Sequence, residues 1–141
     1  MELRDRRILA KIREEARLVS EFIDGAVYDE FKQNEKTKRA VSQTLANIGE
    51  LCHALSDDVK VKYRNVSWAA LRKTRNIIAH AYESVDFYSI WYTAVNDIPT
   101  LVTDINAIEH DIGAELFGAK EREANYSELQ KAIEEADGRF V

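Results

Sequence analysis

Apolar residues recur every three or four positions along most of this chain, with charged side chains between them, the pattern of helices that each bury one face. From Leu3 to about Val27 the apolar set is Ile8, Ile12, Val19, Phe22, Ile23 and Ala26, which predicts a long amphipathic helix. Gly25 places a break or bend at 24–28, after which Tyr28 and Phe31 anchor a short connecting segment. Asn34 is a good N-cap for a second helix whose stripe, Val41, Leu45, Ile48, Cys52 and Leu55, alternates steps of four and three. Cys52 lies on that stripe and reads as a small buried hydrophobe. Gly49, in mid-helix, costs about 1 kcal/mol relative to Ala and marks a place where another backbone comes close.

After Ser56-Asp57-Asp58 comes a basic loop, and a third helix opens at Ser67 and Trp68 with the stripe Trp68, Leu71, Arg75, Ile78, Tyr82. Asp86 caps a fourth, preceded by the apolar Val85. Its stripe runs Ile90, Ala94, Ile98, Leu101, Ile105, Ile108, Ile112 and passes through Pro99, which is expected to bend the helix. Trp91 and Tyr92 read as core and interface residues. Four such helices suffice for an all-α, antiparallel four-helix bundle over residues 1–112. Gly113 and Gly118 then bracket a short apolar piece, and Asn125-Tyr126-Ser127-Glu128 reads as a capping box for an additional C-terminal helix to about Ala136. This extension, 113–141, docks on the bundle, lengthens a dimer contact or binds a partner.

Composition narrows the class. With 141 residues, 45% hydrophobic, one Pro and five Gly, the chain can bury a core without covalent staples. The single Cys52 rules out an internal disulfide. No apolar run approaches the roughly 18 residues that cross a bilayer, and the charged start Met1-Glu2-Leu3-Arg4-Asp5-Arg6-Arg7 is unlike a signal peptide, so a cytoplasmic setting without membrane contact is expected. A net charge of −5 argues against a generally positive surface. Locally the balance reverses: Lys60, Lys62, Arg64, Arg72, Lys73 and Arg75 occur with no acidic residue among them, and Tyr63 and Trp68 lie between. This strip is either a solvated face or an approach for RNA in which Arg64, Arg72 and Lys73 meet phosphates and Trp68 stacks on a base. There is no Cys/His cluster, no His-Glu-x-x-His and no Gly-rich phosphate loop, so no metal site and no cofactor is expected; His53 and His110 read as isolated surface or packing residues.

The candidate chemistry lies in Arg75-Asn76-Ile77-Ile78-Ala79-His80-Ala81-Tyr82. A guanidinium offers phosphate oxygens a planar fork of donors, and an imidazole can take or give a proton near neutral pH. On one regular helix Arg75 and Tyr82 share nearly the same face, whereas five residues turn His80 about 140° away from Arg75. Either the helix loosens near His80 or the site is shared between two copies. Glu50 is a surface charge or a carboxylate that orients Arg75; Asn76 holds an oxygen, orients the imidazole or is simply exposed.

The Arg-x4-His-x-Tyr spacing resembles the HepT branch of the HEPN superfamily. Other stretches follow in that family's order: Tyr28-Asp29-Glu30-Phe31, Ala40-Val41, Ile48-Gly49-Glu50, Trp68, Val85-Asp86, Ile90-Trp91 and Ile98-Pro99, covering roughly 5–110. Ser67 stands where the family often has Pro. The resemblance implies a HEPN-type bundle that pairs so that both motifs line one cleft. It implies the toxin of a type VII-like toxin–antitoxin system, a metal-independent endoribonuclease with Arg75 and His80 as catalytic residues and Asn76 and Glu50 in support. It further implies a minimal nucleotidyltransferase antitoxin as partner, which silences the toxin by transferring AMP to Tyr82. The competing reading is a non-catalytic helical dimerisation module that binds a nucleotidyltransferase.

Overall fold

The computed structural model describes residues 1–139, with side chains through 114 and at 128 and 130–135. Among the described residues every regular element is helical. The chain divides into two compact units, Met1–Asn106 and the residues from Ala107 onward.

In the first unit, α1 spans Leu3–Phe22 and buries Ile8, Leu9, Ile12, Ala16 and Val19. It stops five residues short of the expected Val27. Ile23 caps it, and Gly25 takes φ +71°, a left-handed turn that Gly adopts without steric cost. Phe22, expected on the buried stripe, is therefore left exposed at the helix end. The connecting segment is itself a short helix, α2, Tyr28–Gln33. Its Phe31 is fully buried and meets Trp91 at 5.2 Å between ring centroids.

Helix α3, Glu35–Ala54, starts where Asn34 Oδ1 accepts the Thr37 N–H at 3.0 Å. Val41, Leu45, Ile48 and Cys52 are all buried, as the spacing predicts. Burial pushes the Cys52 thiol up to about 12, well above the ordinary thiol range. The segment after Ser56 begins as a helix, α4, Asp57–Lys62, and not as a loop. Ser56 Oγ accepts the Val59 N–H at 3.4 Å, and its own N–H and hydroxyl donate to Asp5 at 2.9 and 2.8 Å. Asp5 is buried yet satisfied, and it ties the start of α1 to the α3–α4 joint.

Helix α5 spans Trp68–Ala81. The start agrees with the sequence, but Ser67 makes no side-chain cap bond; Trp68 is fixed by its backbone N–H to the Val66 carbonyl at 2.9 Å and its indole N–H to the Tyr63 carbonyl at 3.1 Å. A 3₁₀ turn, Tyr82–Ser84, leads to α6, Phe87–Tyr92, where Asp86 Oδ1 accepts the Tyr88 N–H at 3.0 Å. Trp91 packs on Phe31 and Tyr28 as expected, whereas Tyr92 is exposed. Residues Thr93–Asp97 then form a π-helical turn before α7, Ile98–Arg139. Pro99 has no N–H for the carbonyl four residues back, and the widened turn absorbs that loss without breaking the apolar stripe Ile90, Ala94, Ile98, Leu101, Ile105.

Contacts such as Asp5 with Ser56 and Asn47 with Glu15 run α1 against α3 in opposite directions, and His53 with Arg72, Glu50 with Arg75 and Arg39 with Tyr82 do the same for α3 and α5. The all-α antiparallel bundle is therefore observed, with α3 at its centre between α1 and α5. One correction concerns the end of the chain. The backbone stays helical through Gly113 and Gly118, so no new helix starts at residue 125. The side chains of Leu116, Phe117, Asn125, Tyr126, Ser127 and Leu129 lie outside the described residues.

Candidate active site

Gly49 sets the geometry. A Cβ there would stand 2.5 Å from Arg75 Cβ and 2.6 Å from the Leu71 carbonyl oxygen, so only hydrogen fits between α3 and α5. The close approach lets Arg75 Nε reach Glu50 Oε2 at 2.6 Å, while Arg75 Nη1 donates to Asn76 Oδ1 at 3.1 Å. Two acceptors thus fix the guanidinium. An exposed pair of this kind contributes about 0–1 kcal/mol, so its consequence is orientation more than stability. Glu50 is thus an exposed charge that also pairs with Arg75, and Asn76 accepts from the same guanidinium.

Arg75 lies on the wall of a cleft of about 520 Å³, a volume typical of small-ligand sites. Ile78 and Ala79 line its α5 side with Arg75, and Tyr82 stands just beyond; Arg39, Ser42 and Gln43 line the α3 side. Tyr82 is not on α5. Ala81, at φ −143° and ψ 34°, ends the helix, and the 3₁₀ turn carries Tyr82 back to Arg75's face. Its ring meets Phe87 edge-on at 5.7 Å, and the Arg39 guanidinium sits over it at 5.3 Å. The Tyr82 hydroxyl and Ser42 Oγ are buried without any hydrogen-bond partner. Each such group costs about 1–3 kcal/mol, which proteins seldom tolerate without a reason.

His80 is exposed and lies outside the cleft lining, and its side chain makes no hydrogen bond or ion pair among the described residues. The end of α5 one residue later does not bring it to Arg75. The structure therefore joins Arg75, Asn76, Glu50 and Tyr82 and leaves His80 apart, as the angle between positions predicts.

The basic strip divides. Lys60, Arg64 and Arg72 line a second depression of about 510 Å³ that has no carboxylate in its wall. His53, expected to be isolated, belongs to it: its ring nitrogen contacts Arg72, and its carbonyl accepts from Lys60 Nζ at 3.0 Å. Lys73 is exposed but outside this lining. Trp68 departs from the stacking role. It is buried, with its indole N–H already used, because the start of α5 needs it as a packing anchor.

Arg39 and Ser42 escaped the sequence reading. A signal for each exists: Arg39 precedes Glu50 by eleven residues, about three helical turns, and so shares its face, and Ser42 precedes Gly49 by seven, about two turns, and so shares the face that approaches another backbone. Arg39 also contacts Glu35 at 3.0 Å. Hydrogen bonding from Lys38, with the charges of Lys38 and Arg39, holds the Glu35 carboxyl below its usual range.

Comparison with known proteins matches residues 12–108 to the family described as ribonuclease HepT-like. The chain belongs to that family. It is similar to "Putative RNase MJ0127" of Methanocaldococcus jannaschii, 31% identical over 110 residues, covering 78% of this chain and 91% of the relative. It is also similar to "Probable ribonuclease HepT" of Thermococcus cleftensis, 32% identical over 93 residues, covering 66% of this chain and 84% of the relative. No solved structure matches it significantly. In this HepT-like chain the matched span holds every cleft residue from Arg39 to Tyr82 and both members of the Arg75/His80 pair. Among the described residues no helix is long and apolar enough to cross a membrane.

Proposed function

We propose that this chain is an endoribonuclease toxin in which two copies pair and each completes the RNA-cleaving site of the other. The observation that carries the reading is the division of the motif. Arg75 is fixed in a cleft by Glu50 and Asn76, while His80 stands outside it, exposed and unpartnered. A neighbouring copy related by a twofold axis can supply what each cleft lacks. The RNA 2′-hydroxyl attacks the adjacent phosphorus as one His80 takes its proton. The new O2′–P bond forms and the P–O5′ bond breaks, with the imidazolium so formed passing its proton to the departing oxygen. Arg75 neutralises the charge that builds on the phosphoryl oxygens. The products carry a 2′,3′-cyclic phosphate and a 5′-hydroxyl. This scheme asks for no metal. Arg64 and Arg72, with Lys60, would guide the strand through its phosphates.

The partner in this reading is a minimal nucleotidyltransferase antitoxin that transfers AMP to Tyr82. The adduct would add bulk and negative charge beside Arg75, obstructing and repelling RNA.

Cleavage of RNA by purified protein tests the reading. His80→Ala should lower the rate by about 10²–10⁴-fold with the fold unchanged, as loss of a general acid–base does, and EDTA should leave the wild-type rate intact. Full activity in His80→Ala, or turnover that stops with chelation and returns with Mg²⁺, overturns the scheme. Wild-type protein that cleaves nothing would instead be the non-catalytic dimerisation module.

A further inference from the structure

The two unpartnered hydroxyls deepen this reading and rest on it for the identity of the strand. Ser42 is 1% exposed, Tyr82 Oη is buried, and both line the same cleft. Neither is satisfied by the protein, and each can donate. Two guanidiniums, those of Arg39 and Arg75, belong to the same lining. The one carboxylate in the lining, Glu50, is already engaged by Arg75 at 2.6 Å. Arg39 is held by Glu35 at 3.0 Å, but both side chains are more than half exposed, so that pair yields readily to a better anion. Donors therefore outnumber free acceptors around a space large enough for a nucleotide. We propose that the α3–α5 cleft is a phosphate subsite, in which the Ser42 and Tyr82 hydroxyls donate to phosphoryl oxygens and Arg39 acts as a second cation beside Arg75.

Guanidinium–phosphate pairing is charge-assisted and can be bidentate, which suits Arg39 to this role. The ligand chemistry is a ribonucleotide phosphate, carried either by an RNA strand or by free AMP. Arg39 and Ser42 are binding residues here; neither takes part in proton transfer.

The test measures binding in the His80→Ala background, where no cleavage intervenes, with a labelled oligoribonucleotide in one arm and AMP in the other. Arg39→Ala should weaken oligoribonucleotide binding by about tenfold and reduce the salt slope by about one unit, as loss of one phosphate contact does. Ser42→Ala should weaken it severalfold and yet melt no lower than its parent, since it removes a buried hydroxyl that nothing satisfies. A purely structural Ser42 would not separate those two readouts. Weakening confined to the AMP arm assigns the subsite to a free nucleotide and still supports it. If both variants bind like the parent in both arms, or the parent binds neither ligand, the subsite is overturned. Wild-type cleavage, scored separately, shows whether the ribonuclease reading stands or falls on its own.

Discussion

At the scale of single residues, Tyr82 combines a packed ring, held between Phe87 and Arg39, with a buried, unpartnered hydroxyl. Transfer of AMP to that oxygen would be approached through the cleft that Tyr82 lines. Incubation with the cognate nucleotidyltransferase and ATP should add AMP mass to the wild type and none to Tyr82→Phe. Unmodified wild-type protein beside an active transferase would remove the regulatory role. Cys52 is the opposite case. Its thiol, pushed up to about 12 by burial, stays protonated at neutral pH, so it serves as packing and not as a nucleophile.

At the scale of elements, the contact between α3 and α5 at Gly49 decides where Arg75 sits. Helix propensity alone favours Ala over Gly by about 1 kcal/mol. Against it stand a Cβ and a backbone carbonyl oxygen, neither of which can rotate out of the way. Gly49→Ala should therefore destabilise the fold by about 1–3 kcal/mol, as overpacking does. It should also lower RNA cleavage by tenfold or more, because displacing Arg75 misplaces the phosphate. Thermal melting and the cleavage assay check both. A variant that melts at or above the wild type would mean that the two helices separate freely. The Asp5–Ser56 link and the π turn before Pro99 show the same logic, in which one element's local requirement is met by a neighbour or by a small change of helical register.

For the whole molecule, the separation of Arg75 from His80 leads to a direct experiment. Arg75→Ala and His80→Ala proteins should each be inactive, but unfolding and refolding them together should restore activity to about a quarter of wild type. Half of randomly assorted dimers are mixed, and each mixed dimer contains one site with both groups intact. No recovery in a mixture shown to contain mixed dimers would place both groups in one subunit's site.

Much of this was written in the linear pattern. The helical stripes, the caps at Asn34 and Asp86, the close approach at Gly49 and the 140° between Arg75 and His80 follow from periodicity and side-chain chemistry, which act over a few residues. Local rules are legible because a helix repeats them every turn. The helical start of the basic segment and the anchoring of Trp68 were settled by packing. So were the partner of Glu50, the engagement of His53 and the cleft that gathers Arg39, Ser42 and Tyr82. Those depend on residues far apart in the chain meeting in space, and burial, not spacing, determines which polar groups are left without a partner.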